Sequence, residues 1–160
     1  MARWLQGVAA LLLTAVLAGC SAPPPPPPTA VKLTITATAD ANAGASGTGA
    51  PVQVRVYQLA STNAFDNADF FQLFNHDKAT LGGDLVHAET FLLAPGASKT
   101  VVLSPTAPVK DLGFFAAYGA FQSATWRAKT PVPAHKTTLV TLTVGRAALS
   151  VKAAPAPAGH

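Results

Sequence analysis

Hydrophobic and polar residues alternate with period two over most of the chain from Val31 onward, the repeat of half-buried β-strands. Val31, Leu33, Ile35 and Ala37 fall on one side of a first strand, and Lys32, Thr34, Thr36 and Thr38 on the other. A second run, Val52 to Leu59 (VQVRVYQL), sets Val52, Val54 and Val56 against Gln53, Arg55 and Tyr57. Pro51 stands at its start, where a missing N–H is tolerated. Leu85–Leu93 and Lys99–Leu103 follow, joined by Ala94-Pro95-Gly96-Ala97, in which Pro-Gly suits the centre of a type II turn. Gly113–Phe121 (GFFAAYGAF) is apolar on both faces, as a central strand covered from both sides would be. Thr137–Val144 alternates again with Val140, Leu142 and Val144 on one face, and Ala147, Leu149 and Val151 predict a last short strand after Gly145.

The period changes at Phe65–Phe74, which predicts a helix. Asp66 is its expected N-cap and Asp69 its N3 residue, a short-armed capping box, with Phe65 and Phe70 placed as a hydrophobic staple. Phe70, Leu73 and Phe74 then share one apolar face. Seven or eight strands with one short helix predict an all-β, two-sheet antiparallel β-sandwich with a short helical insertion, occupying residues 31–152. The stretch between the first two strands, Asp40 to Gly49, is polar and flexible in composition. The Ala/Pro-rich tail, residues 153–160, predicts disorder.

The N-terminus has a different grammar. Arg3 precedes a short apolar run, Val8–Leu17, that ends in small residues, the order of a secretory signal peptide over residues 1–19. The run is shorter than the ~20 residues of a membrane span. Leu17-Ala18-Gly19-Cys20 resembles the bacterial lipobox, in which the Cys thiol takes a diacylglyceryl group before the leader is cut. Cys20 becomes the lipidated first residue on this reading, and several acyl chains make such attachment effectively permanent. Ser21, where inner-membrane lipoproteins commonly carry Asp, implies the outer membrane. Pro23 to Pro28 is an unbroken proline run that predicts a stiff polyproline II spacer, so residues 20–30 form a lipidated tether.

Composition narrows the function classes. Fourteen Pro and twelve Gly with only 11% charged residues exclude a helical bundle or coiled coil. The net charge of +4 is scattered, and no basic run interleaves with aromatics, which argues against a nucleic-acid partner. A single Cys excludes an internal disulfide, and no Cys/His pair has zinc spacing. His87 and Glu89 share a strand face as a solvated polar pair. Asp66 and Asp69 are explained by capping, and Asp40 with Asn42 lacks the further oxygens of a calcium loop. No nucleophile elbow, zincin motif or P-loop is present. The residues therefore predict no enzyme, no metal, no small-molecule substrate and no cofactor beyond the lipid on Cys20.

The chain resembles the TssJ family, outer-membrane lipoproteins of bacterial type VI secretion systems, from the lipobox to about Val151. The resemblance rests on Pro51-Val52-Gln53-Val54-Arg55-Val56-Tyr57-Gln58-Leu59, then Phe65, Ala68-Asp69-Phe70 and Leu73. Asp84-Leu85, Leu93-Ala94-Pro95-Gly96 and Ala124-Thr125-Trp126-Arg127 complete the ordered set. It implies a transthyretin-like sandwich tethered in the periplasm, and as partner the periplasmic C-terminal region of TssM. It also implies that the loop between the first two strands meets that partner. Here the loop is Asp40, Ala41, Asn42, Ala43, Gly44, Ala45, Ser46, Gly47, Thr48 and Gly49. Without the resemblance, the residues fit equally another lipid-anchored binding module, pilotin-like or an inhibitor.

Cys20→Ser is expected to yield an exported but unlipidated chain, because a hydroxyl does not replace the thiol as lipid acceptor. Fractionation with labelled fatty acid measures this; undiminished label on the variant would exclude Cys20 as the anchor.

Overall fold

The computed structural model describes residues 23–157. The leader (residues 1–19), Cys20 and residues 158–160 lie outside them. Eight strands form two four-stranded sheets. The first has the order β4 (Ser98–Leu103), β1 (Ala30–Ala37), β7 (Thr137–Val144), β8 (Leu149–Pro155). The second has the order β3 (Leu85–Leu93), β2 (Val52–Leu59), β5 (Asp111–Ala116), β6 (Arg127–Pro131). Pairing is antiparallel throughout except between β1 and β7, which run parallel. Alternation is the same in either pairing sense, and the long chain between β1 and β7 supplies the crossover that a parallel pair needs. The expected sandwich stands, with this one pair departing from the antiparallel expectation.

The alternating faces meet as their pattern requires. Val31, Leu33 and Ile35 of β1 and Val140, Leu142 and Val144 of β7 pack against Val54 and Val56 of β2 and Leu112 and Phe114 of β5, all buried. Sheet two is covered on its other face as well. Tyr57, Leu59 and Phe115 lie beneath Phe65, Phe70, Leu73 and Leu81 of the helical insertion. Both faces of β5 are thereby apolar for a reason, and Gly113 marks how close the insertion comes. A Cβ there would stand 2.9 Å from Leu59 Cδ1 and 3.2 Å from the Phe65 ring.

The insertion is two helices, α1 (Asn63–Asn67) and α2 (Phe70–Leu81), where the sequence predicts one helix over 65–74. Asp69, expected at N3, is the N-cap of α2, and Gln72 is its N3 residue. Asp69 Oδ1 accepts from the Gln72 N–H and Gln72 Oε1 from the Asp69 N–H, both at 2.8 Å. Gln carries the longer arm that reaches back to the cap, which is why the box forms from Asp69 and not from Asp66. Asp66 lies inside α1 and binds Thr62 and Lys129 instead. Desolvation raises its pKa, but the bonds from Lys129 and Thr62, with the nearby positive charges of Lys129 and Arg127, together outweigh that and hold it below the usual carboxylate range.

Two further boundaries differ from expectation. β5 stops at Ala116, and the apolar residues after it serve a loop, where Tyr118 is buried at the end of the inner core and Phe121 stacks on Phe70 at 4.3 Å. At the C-terminus, β8 continues through Ala153, Ala154 and Pro155, inside the stretch whose composition predicts a disordered tail. Pro155 pairs with Thr138 on an edge strand, a position in a sheet that tolerates a missing N–H.

Val54 and Phe114 are fully buried in the inner core. Val54→Asp and Phe114→Asp each bury an unpaired carboxylate, a cost of about 4 kcal/mol or more, comparable to the whole stability of a small domain. Circular dichroism is expected to show loss of the cooperative melting transition in both.

Candidate partner-binding surface

Strand directions bring four connections to one end of the sandwich: residues 38–51, 94–97, 117–126 and 145–148. The chain enters at Ala30 at the opposite end, beside the β6–β7 turn. The polar loop after β1 is therefore as far from the tether as the length of a strand allows.

That loop is pinned to all three of its neighbours. The Gly96 N–H donates to Thr38 O at 3.1 Å, and the Thr38 N–H to Val144 O at 3.0 Å. The Asn42 N–H donates to Gly145 O at 3.3 Å. Asn42 then works with its side chain: Nδ2 donates to Pro51 O at 3.0 Å, and Oδ1 accepts from the Gly119 N–H at 2.9 Å. Its φ of 52° lies in the left-handed region, which Asn tolerates better than most residues. Tyr118, next to Gly119, is 3% exposed; its hydroxyl lies near the Gly145 backbone without a well-formed hydrogen bond, and burial pushes its pKa up.

The ten loop residues divide into two groups. Asp40 accepts from Thr38 Oγ1 at 2.7 Å, Ala41 is fully buried in the core, and Gly49 packs so tightly that a Cβ would meet Ala39 O at 2.4 Å. These three and Asn42 are structural. Ala43, Gly44, Ala45, Ser46, Gly47 and Thr48 form the projecting tip, where Gly47 N–H closes a turn on Gly44 O at 3.0 Å and Gly47 adopts φ 76°. Gly44, Ala45, Ser46 and Thr48 are exposed. The composition of the loop suggests flexibility, whereas the structure makes it a fixed platform with a small-residue crest. Asn42 is the residue whose role the sequence hid, since an Asn with two long-range backbone partners looks like any loop Asn.

A second anchoring point lies at the tether end. The His135 N–H donates to Thr29 Oγ1 at 2.9 Å, His135 Nδ1 donates to Pro27 O at 3.0 Å, and the Ala30 N–H donates to Lys136 O at 3.0 Å. The last prolines of the spacer are thus tied to the β6–β7 turn. His87 and Glu89 stand 3.8 Å apart on the exposed edge strand β3. Among the described residues no cluster of three metal-ligating side chains occurs, and no helix is long and apolar enough to cross a membrane.

The described residues thus define a small two-sheet β-sandwich entered through a proline run, with a loop pinned to its neighbours at the far end. The family model for type VI secretion lipoproteins (VasD, EvfM, TssJ) matches residues 29–147, and the chain belongs to that family. Its structure is similar to that of the type VI lipoprotein TssJ1 from Pseudomonas aeruginosa, at 39% identity and TM-score 0.78, over 82% of this chain and 100% of the other. Serratia marcescens Lip, a membrane-bound component of the type VI secretion system, aligns at 28% identity and TM-score 0.72, over 78% and 96%. A chain in a structure described as the TssM C-terminal domain (869–1107) from EAEC aligns at 26% identity and TM-score 0.62, over 80% and 99%. No curated protein sequence matches significantly.

Asn42→Ala removes two hydrogen bonds and the side chain that eases a left-handed backbone, a loss of about 2 kcal/mol felt locally. Amide exchange at Gly119 is expected to accelerate at least tenfold while the strands stay protected.

Proposed function

We propose that this chain is the outer-membrane-anchored structural lipoprotein of a type VI secretion membrane complex. Lipid on Cys20 holds it, and the platform tip, Ala43–Thr48, binds the periplasmic C-terminal region of TssM. The observation that carries this reading is the polarity of the domain. The tether leaves one end and the pinned platform faces away from it, the geometry required of an adaptor between a membrane and a partner in the periplasm.

Family membership supports the secretion role, and the TssM structure supports the partner. The segment named there, 869–1107, is longer than all 160 residues of this chain, whereas four-fifths of this chain spans 99% of the chain matched. We read the matched chain as a companion of TssM, with this fold. The tip lacks the aromatic and Arg anchors typical of hot spots, so its contribution is main-chain hydrogen bonding and close backbone approach.

Excising the whole loop would remove Ala41 from the core and the Asn42 bonds, so the discriminating variant is confined to the exposed crest. Ala45→Trp blocks close approach without touching the core and is expected to weaken TssM binding at least tenfold, a loss of ~1.4 kcal/mol. Calorimetry with the purified TssM periplasmic domain measures it; unchanged affinity in the folded variant would move the interface elsewhere.

A further inference from the structure

Among the described residues nothing covers the outer face of the β4-β1-β7-β8 sheet, whereas the outer face of the other sheet lies under the helices. Its residues fall in three rows across the strands. Nearest the platform are Ser98, Thr36, Thr143 and Ser150; in the middle are Thr100, Thr34, Thr141 and Lys152. Nearest the tether the row changes character, to Val102, Lys32, Leu139 and Ala154. Val102 is 71% exposed and Leu139 36%, flanking the exposed Lys32. A shallow cavity of about 330 Å³ adjoins the row, lined by Pro131, Pro133, Lys136, Thr138, Ala153 and Pro155.

Charge on this face has one sign. None of the seven Asp and Glu residues lies on these four strands, which carry Lys32, Lys99 and Lys152, with His135 and Lys136 in the adjoining turn. Lys99 sits over the Phe91 ring at the sheet edge, leaving Lys32 and Lys136 exposed on the tether side and Lys152 exposed in the middle row. Asp111, at the start of β5 on that end, belongs to the other sheet.

We propose that this row is a membrane-contact face, which seats on the anionic phospholipid headgroups of the leaflet that holds the anchor. The proposal rests on the reading of Cys20 as the lipidated residue. The chain from Cys20 to Pro27 reaches at most ~25 Å even fully extended, and Pro27 and Thr29 are tied to His135 beside the row. The tether end of the sheet therefore stays within a short distance of the bilayer. Two exposed apolar side chains and three lysines bind a membrane weakly alone, but the tether holds them at high effective concentration. The lysines draw the face to anionic headgroups, and Val102 and Leu139 enter the interface. Sheet two and the platform then face the periplasm.

The test uses the chain from Cys20 onward, coupled through its single thiol to maleimide lipid in vesicles of phosphatidylethanolamine and phosphatidylglycerol with brominated acyl chains. A synthetic anchor makes the outcome independent of cellular acylation, which mass spectrometry of Cys20 from native envelopes reports separately. Tryptophan fluorescence is read for Val102→Trp and Leu139→Trp, with Ser98→Trp at the far end of the same face and Leu92→Trp on the other sheet as references. All four sites are exposed or nearly so, and circular dichroism verifies folding. At least threefold stronger bromine quenching is expected at positions 102 and 139 than at 98 and 92. Adding Lys32→Glu is expected to halve the quenching at 139. Equal quenching at all four positions would overturn the proposal, as would self-association of the coupled chains through this face without quenching.

Discussion

A sheet buried on both faces can keep a charged side chain only against groups that satisfy it, and here those groups are the backbone carbonyls of the helical insertion. Arg55, on the outer face of β2, donates to Leu73 O at 2.6 Å and pairs with Asp77 at 3.1 Å. Arg127, on β6, donates to Phe65 O at 3.0 Å and Ala68 O at 2.9 Å. The α1 C-terminus leaves carbonyls without intrahelical partners, Leu73 O precedes the kink of α2 at His76, and a guanidinium answers such groups with a fixed fork of donors. The two arginines thus bolt the helices to the sheet, and Tyr57 adds a bond to Asp77 at 3.2 Å from full burial. The helices in turn seal Phe115 and receive Phe121, which fixes the loop that carries Gly119, the anchor for Asn42. The platform's rigidity begins at those arginines.

This gives a physical meaning to the sequence blocks on which the family resemblance rests. Arg55 and Arg127 both sit in blocks that carry the resemblance, and both serve the docking of the insertion. The crest, by contrast, is built from small residues whose identity matters less than the backbone path they permit. A motif can thus identify a scaffold while the surface proposed to bind the partner stays outside it.

Much of the fold was legible because burial and alternation coincide. The inward faces of β1, β2 and β7 follow directly from their valines and leucines, and Gly96 at φ 75° occupies the turn that Pro95-Gly96 predicts. Legibility failed where one local signal fits two arrangements. Asp66 and Asp69 both serve as caps on paper, and only the reach of Gln72 decides between them. The parallel pairing of β1 with β7 leaves no trace in alternation, and Ala153-Ala154-Pro155 is compatible with both a tail and an edge strand. For the loop, residues Asp40–Gly49 were identifiable as a segment, but the separation of core Ala41 and pinning Asn42 from the exposed crest depends on partners as far away as Gly119 and Gly145, which no local reading supplies.

The parallel pair has a mechanical consequence. Tether, β1 and the platform loop are consecutive in the chain, so on the proposed attachment points a pull between membrane and partner runs lengthwise through β1. That strand lies inside its sheet, bonded along one edge to β4 and along the other to β7 over its full length from Ala30 to Ala37. The covalent backbone of β1 carries that load, and the bonds along both edges hold the strand in register over its length, where an edge strand would be held on one side only. On the proposed attachments, tension between anchor and partner passes through one continuous strand inside the sheet without peeling a sheet edge.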